Sequence, residues 1–277
     1  MFKKIVLLLI IAAVGGVGYL LIVPNISRLQ KEAPRKTSFM EFREREWQAQ
    51  GKRTRIKQVW VPLTRISPYL IKAVIIAEDD KFWHHEGFDF EAIQKALEKD
   101  LKAGKLKAGG STISQQLAKN LYLTPAKNPI RKLKEAVITW RIERTLSKKR
   151  IIELYLNVVE WGEGIFGAEA AARHYFGKGA AGLSPEEAAR LAVVLPNPRK
   201  MNPAGHSSYV TKRAEWIQMI MIKRGFIIPD FDEVMKPAEG NAGELAPDHG
   251  SEQKAPTIRI VPPKGSEGEE QQPTDEK

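Results

Sequence analysis

The chain has no cysteine, which excludes a disulfide framework, a thiolate nucleophile and a cysteine-ligated zinc, and fits an oxidising compartment as well as a reducing one. Histidine is scarce, with five in 277 residues. The adjacent pair His84 and His85 cannot form the i, i+4 arrangement of a helical zinc site, because neighbouring side chains on a helix point apart. His85 therefore reads as a structural hydrogen-bonding group. Aromatic residues are missing from residue 237 onward, where Gly, Pro, Glu and Gln dominate. Such a stretch cannot bury enough surface to offset chain entropy, so 237–277 reads as a disordered acidic tail. A phosphate-loop signature GxxxxGK[ST] and internal repeats are also missing, which removes the common nucleotide-binding and solenoid readings.

What is present in excess is positive charge. Lysine and arginine number 44 against 33 aspartate and glutamate, a formal net charge of +11. From residue 239 onward nine acidic side chains outnumber four basic ones, so residues 1–238 carry about +16 and the remainder about −5. A basic surface attracts nucleic acid, anionic lipid or a phosphate-bearing substrate, and charge alone does not choose among them. Residues 5–23, IVLLLIIAAVGGVGYLLIV, are uncharged throughout. As a helix this run would extend about 28 Å, close to the roughly 30 Å of a bilayer's hydrocarbon core. It reads as a signal-anchor over 1–26; a cleaved secretory signal is the alternative, but no small-x-small cleavage site precedes Pro24 and Asn25. Flanking positives do not settle orientation, since Lys3 and Lys4 face Arg28, Lys31, Arg35 and Lys36.

Residues 27–55 are polar, with apolar positions too sparse for a periodic signal, and read as a stalk or a loosely attached helix. From Val59 to about residue 236, apolar residues recur at helical spacing between turn signals at 104–110, 124–129, 162–167, 177–185 and 196–203. A mainly α domain is expected over 56–236.

Four stretches carry candidate chemistry. Ser67 and Pro68 suit the N-cap and first position of a helix. On it, Leu70, Ile71, Val74 and Ile75 share a face that runs on to Glu78 and Asp79. Burial raises a carboxyl pKa, making Glu78 a candidate general base or acid, although a solvated acidic cluster of Glu78, Asp79 and Asp80 fits the periodicity equally well. Phe82, Trp83 and Phe88 read as core. In GGSTISQQLAKN, 109–120, the glycines allow a tight turn, and Thr112 with Gln115 reads as a capping box. A helix start holds anions through its free N–H groups, and Lys119 returns to nearly the same face two turns after Thr112. An ordinary capped helix would leave Ser111, Gln116 and Lys119 without a task. Arg131 and Glu135 make an i, i+4 pair that, alone, is a commonplace surface ion pair. KKRIIELYLN, 148–157, is amphipathic and leads into a glycine-rich stretch that could close back onto a site, though a plain core helix and loop explains most of those positions.

Five blocks occur in a telling order: EDDKFWHHEGFD from Glu78, GGSTISQQLAKN from Gly109, RKLKE from Arg131, KKRIIELYLN with its glycines, and LAVVLPNPRKMNP from Leu191. Together they resemble the peptidoglycan glycosyltransferases, the family that polymerises lipid II and forms the N-terminal half of bifunctional penicillin-binding proteins. SSYVTKRAEWIQMI, 207–220, resembles its monofunctional members, and the S-x-x-K, S-D-N and K-T-G combination of a transpeptidase is missing.

The resemblance implies a mainly α, lysozyme-like fold with a small jaw lobe resting in the membrane surface, plus one N-terminal transmembrane helix. It implies that Glu78 is the general base on the acceptor's N-acetylglucosamine 4-hydroxyl, which attacks C1 of the donor's N-acetylmuramic acid with inversion as undecaprenyl pyrophosphate departs. Lys119 matches the lysine that contacts the donor pyrophosphate, with Arg131 in the same basic set. Glu135 matches the second acidic residue, which orients the donor or helps bind a divalent metal (Mg or Mn); no organic cofactor is implied. Ser111 and Gln116 match donor-cleft positions, and Arg213 a late basic residue. Lys127 stands where relatives commonly carry Arg, Lys95 near another such position, and Ser114 where Thr is usual. Between residues 90 and 107, Phe90, Ile93, Leu97, Leu101 and Leu106 mix with lysines, a pattern suited to an anionic bilayer surface and also to an amphipathic helix packed on the core.

The implied partners are lipid II, the growing glycan chain, the cytoplasmic membrane and cell-wall synthesis proteins such as transpeptidases, with no nucleic acid. The implied location is a bacterial inner membrane, crossed once, with the catalytic domain in the periplasm. Two rivals compete. A glycan-cleaving enzyme needs an acid for the leaving sugar oxygen and has no use for the cations Lys119, Lys127 and Arg131. A non-catalytic scaffold binding anionic lipid would tolerate Glu78→Gln.

Overall fold

Short capping residues and buried apolar stripes divide the chain into helices. The computed structural model describes residues 15, 18, 24–104, 109–125 and 128–227. The apolar run 5–23, apart from Gly15 and Gly18, lies outside the described residues, as do Leu106, Lys127 and the acidic tail. Among the described residues no helix is long and apolar enough to cross a membrane.

The helices are α1 (Ser38–Ala49), α2 (Pro68–Glu78), α3 (Phe90–Ala103), α4 (Ile113–Tyr122), α5 (Pro129–Thr145), α6 (Lys148–Val158), α7 (Ala168–Phe176), α8 (Pro185–Val194) and α9 (Ser208–Lys223). The fold is mainly helical, as the periodicity predicts. Thr37, Thr112, Asn128, Ser147 and Ser184 each cap a helix by accepting a backbone N–H with the side-chain oxygen. Ser67 occupies the N-cap position of α2, but its hydroxyl does not cap; it donates to the Leu183 carbonyl at 3.0 Å and so docks α2 on a distant turn.

A single buried cluster joins Leu70, Val74 and Ile75 of α2 to Ile113 and Leu117 of α4, Ile138 and Ile142 of α5, and Leu191 of α8. Around it, α2 packs on α8 and α9, while α4 packs on α5, α6 and α1. A small sheet closes one side. Its strands β1 (Lys57–Gln58), β2 (Glu160–Gly162) and β3 (Ile165–Phe166) lie in the order β1-β3-β2, with β1 parallel and β2 antiparallel to β3.

Three expectations change. Residues 38–49, expected in a stalk or loosely attached helix, form α1, which buries Phe39, Met40 and Trp47 beside Phe166 and ties Arg43 to Glu160 at 2.7 Å. A few apolar residues on one face sufficed for packing, too few for a periodic signal. Trp83, expected in the core, is 41% exposed, whereas its neighbour Phe82 is fully buried. On α3, Phe90, Ile93, Leu97 and Leu101 are all exposed. The reading of that stretch as an amphipathic helix packed on the core therefore fails: its apolar side faces outward.

Candidate active site

Glu78 is the last residue of α2, carried there by the apolar stripe that buries the helix. At Asp79 the backbone leaves the helix, and the two neighbouring carboxylates part. Asp79, almost fully buried, accepts from the Ile113 N–H at 2.9 Å, the first residue of α4, and from His85 Nε2 at 2.8 Å. The Gly87 N–H donates to His85 Nδ1 at 3.0 Å, so that nitrogen carries no proton and Nε2 is the donor. His85 has the structural role expected of it. The Thr112 hydroxyl donates in turn to the Gly87 carbonyl at 2.7 Å. Gly87 is at φ +91, and a Cβ there would come within 2.9 Å of Thr139 and Glu143, so only glycine lets the loop lie this close to α5. These bonds pin the end of α2 to the start of α4.

The start of α4 is the capping box read from the sequence, with Thr112 and Gln115 each accepting the other's N–H at 3.2 and 3.0 Å. Gly110, at φ +93, makes the turn before it. One turn into the helix, Gln116 Nε2 donates to Glu78 Oε2 at 2.6 Å, while its Oε1 accepts from the Tyr155 hydroxyl of α6 at 3.0 Å. Burial pushes the Glu78 carboxyl above the ordinary carboxylate range; the Gln116 bond and the charges of Lys119 and Arg213 oppose this, and the Asp79 charge adds to it. The solvated acidic cluster is thus excluded for Glu78 and Asp79, and only Asp80 is exposed, paired with Arg224 at 2.6 Å.

Lys119 lies one turn beyond Gln116. Burial lowers its ammonium pKa, the Glu135 and Glu78 charges oppose that, and Arg131 and Lys132 add to it. Among the described residues Lys119 forms no ion pair, which leaves a half-buried cation able to meet an anion. Glu135 lies beside it on α5. The pair with Arg131 is not the surface pair that spacing alone suggested: Glu135 is 3% exposed, accepting from Arg131 at 2.6 Å and also from Lys132. Lys132 reaches the Ser111 hydroxyl at 3.5 Å.

Three cavities each border one member of the Glu78–Gln116 pair. One of about 270 Å³ is bordered by Glu78, Gly110, Ser111 and Thr112. Another of about 210 Å³ is bordered by Glu78, Pro196, Tyr209 and Arg213. The third, about 460 Å³, is bordered by Gln116, Lys119, Asn197 and Arg199. Arg213 is exposed, its guanidinium 4.0 Å from the centre of the Trp216 ring. The structure therefore brings Glu78, Ser111, Gln116, Lys119, Arg131, Glu135 and Arg213 into one neighbourhood. Lys95 does not join them: it is exposed on α3, where its charge acts on Glu91, and it borders neither cavity that Glu78 lines. Lys127 lies outside the described residues.

A divalent cation held by Glu135 is a poor fit. Both of its oxygens are engaged by cationic side chains, and no group of three or more His, Asp or Glu among the described residues could hold a metal ion. No step below is routed through one. Sequence reasoning missed Tyr155, whose hydroxyl meets Gln116 across two helices, and Lys132, whose i, i+3 spacing to Glu135 was legible. What the neighbourhood can do is remove a proton with one raised-pKa carboxylate while several cations close by receive negative charge.

A sequence profile described as transglycosylase matches residues 45–222. The chain is also similar to three proteins named biosynthetic peptidoglycan transglycosylase. That of Dechloromonas aromatica is 60% identical over 166 residues, covering 60% of this chain and 72% of the relative. That of Aromatoleum aromaticum is 60% identical over 167 residues, 60% and 73% of the two chains. That of Nitrosospira multiformis is 51% identical over 184 residues, 66% and 80%.

Proposed function

Because the chain belongs to the transglycosylase family and is a peptidoglycan glycosyltransferase, we propose that it polymerises lipid II into linear glycan with inversion at the donor carbon. Glu78 takes the proton from the 4-hydroxyl of the acceptor's N-acetylglucosamine. That oxygen bonds to C1 of the donor's N-acetylmuramic acid from the face opposite the leaving group, and the C1–O bond breaks with its electron pair passing to undecaprenyl pyrophosphate. Lys119, with Arg131 and Lys132 on Glu135, supplies positive charge where the diphosphate becomes more negative. Ser111 and Gln116 line the donor side, and Arg213 faces Glu78 from α9.

The observation that carries this reading is the placement of Glu78: a carboxyl raised by burial, bordering two cavities, with the Lys119 cation one helical turn beyond its hydrogen-bond partner Gln116. A base must be ionised to act and loses driving force if its pKa is too low, so a raised carboxyl pKa adds driving force for taking a hydroxyl proton. A glycan-cleaving enzyme would need instead a proton donor for a sugar oxygen, and the cations around Glu135 would have no partner in that reaction.

The lipid tail of such a substrate places the enzyme at a bilayer. The apolar run 5–23 is proposed as a single anchor in the inner membrane, and the outward apolar side of α3 as part of a jaw resting on the periplasmic leaflet, where the substrate resides. Uncrosslinked strands are the proposed product of this step, which joins sugars and forms no peptide bond. The test is purified full-length protein with labelled lipid II, with and without divalent cation, followed by muramidase digestion. Wild type is expected to yield a muramidase-sensitive polymer, and Glu78→Gln none while still binding lipid II. Polymer from Glu78→Gln at the wild-type rate would remove Glu78 from the mechanism.

A further inference from the structure

Tyr155 is fully buried in α6, and its hydroxyl donates to the Oε1 of Gln116 at 3.0 Å, its hydrogen-bond partner among the described residues. A side-chain amide has two ends that look alike in shape and opposite in hydrogen bonding. Which end faces Glu78 decides whether that contact favours a carboxylate or a carboxylic acid. With Nε2 toward Glu78 Oε2 at 2.6 Å, Gln116 donates and favours the ionised form. Turned over, it would present Oε1, which repels a carboxylate and accepts from a protonated carboxyl.

We propose that Tyr155 is a positioning residue for glycosyl transfer: by donating to Gln116 Oε1 it holds the amide with Nε2 facing Glu78. This inference rests on the reading of Glu78 as the base, and it adds to that reading a device that keeps the base competent. The groups facing Glu78 include Asp79 just past the end of α2, Gln116 and Lys119 from α4, Tyr155 from α6 and Arg213 from α9. Asp79 opposes ionisation of Glu78, while Lys119 and Arg213 favour it. Gln116 is the one neutral member whose sign can reverse. Tyr155 itself stays protonated, because burial and then the Glu78 and Asp79 charges push its phenol well above the ordinary value. It is therefore a permanent donor.

Removing the hydroxyl leaves Gln116 Oε1 with no donor beside it. The amide then regains a partner by turning that oxygen to a protonated Glu78, so the acid form of the base is favoured. The acid limb of the rate profile must move to higher pH.

The experiment is the pH dependence of kcat and KM for lipid II polymerisation, from about pH 5 to about pH 9, in wild type, Tyr155→Phe, Gln116→Leu and the double variant. Tyr155→Phe is expected to move the acid limb up by about one pH unit, roughly a tenfold loss of kcat on the acid side, with the alkaline plateau within about twofold of wild type. The double variant is expected to match Gln116→Leu, since the hydroxyl acts only through the amide. An unmoved limb in Tyr155→Phe overturns the proposal. So does a limb shift in the double variant that exceeds that of Gln116→Leu, or an unmoved limb in Gln116→Leu, which also serves if Tyr155→Phe folds poorly. Glu78→Gln separates the two ideas: if it polymerises, the base assignment fails; if it is dead while the Tyr155→Phe limb stays put, only the relay fails.

Discussion

A single carboxyl shows how the site is held at some cost to the fold. Glu78 binds its proton more tightly in the folded chain than in an unfolded one, because burial opposes its charge. Its contribution to stability is therefore complete below the ordinary carboxylate pKa and is lost as pH rises through the raised, folded value. Glu78→Gln removes that loss. The variant is expected to melt above wild type at pH 7, with the difference shrinking as the pH falls to about 4. Calorimetry at both pH values checks this, and a Glu78→Gln protein that melts below wild type at pH 7 would show that the carboxylate is well solvated. At this scale the sequence was partly legible. The stripe from Leu70 to Ile75 pointed at Glu78, but which of Glu78, Asp79 and Asp80 turned inward was open. It is settled by contacts far along the chain: Gln116 takes Glu78, Ile113 and His85 take Asp79, and Arg224 takes Asp80.

At the scale of elements, the start of α4 governs where Gln116 and Lys119 stand. Thr112 both caps that helix and donates to the Gly87 carbonyl. Thr112→Ala removes both bonds and is expected to cost about 1–2 kcal/mol in urea unfolding and to lower kcat, since the end of α2 is tied to the same turn. A loss near zero would mean the turn is held without it. The second element is α5. Glu135→Gln leaves the largely buried Arg131 facing a neutral partner, for which about 3 kcal/mol of destabilisation is expected, while the half-exposed Lys132 can turn to water. An exposed pair would lose under about 1 kcal/mol, so the urea midpoint distinguishes the two. The capping box and the Arg131–Glu135 spacing were both readable from sequence because they are local, within one turn of one helix. The burial of Glu135, the inward packing of α1 and the outward face of α3 were not, because each depends on what the rest of the chain places next to it.

For the whole molecule, the excess of positive charge and the exposed apolar side of α3 would serve together if the enzyme works on the lipid-linked substrate proposed above. Since the chain has no cysteine, Leu101→Cys offers one labelling site for an environment-sensitive fluorophore. In the full-length protein reconstituted in vesicles containing phosphatidylglycerol, its emission is expected to shift toward the value in lipid, and to revert in detergent-free neutral vesicles at high salt. Water-like emission in both kinds of vesicle would remove α3 from the bilayer surface. Periodicity and capping sufficed by themselves for a mainly helical domain, and the resemblance carried by five ordered motifs sufficed for the peptidoglycan glycosyltransferase family and pointed at most of the polar residues now found near Glu78, because helix periodicity, capping and motif spacing are properties of neighbouring positions. Only the tertiary structure decided that Tyr155, Gln116 and Glu78 form one line of hydrogen bonds, that Lys95 stands apart and that Glu135 is buried. Those facts depend on α2, α4, α5 and α6 converging, and burial, which sets both pKa and ion-pair strength, exists only once distant segments have excluded water together.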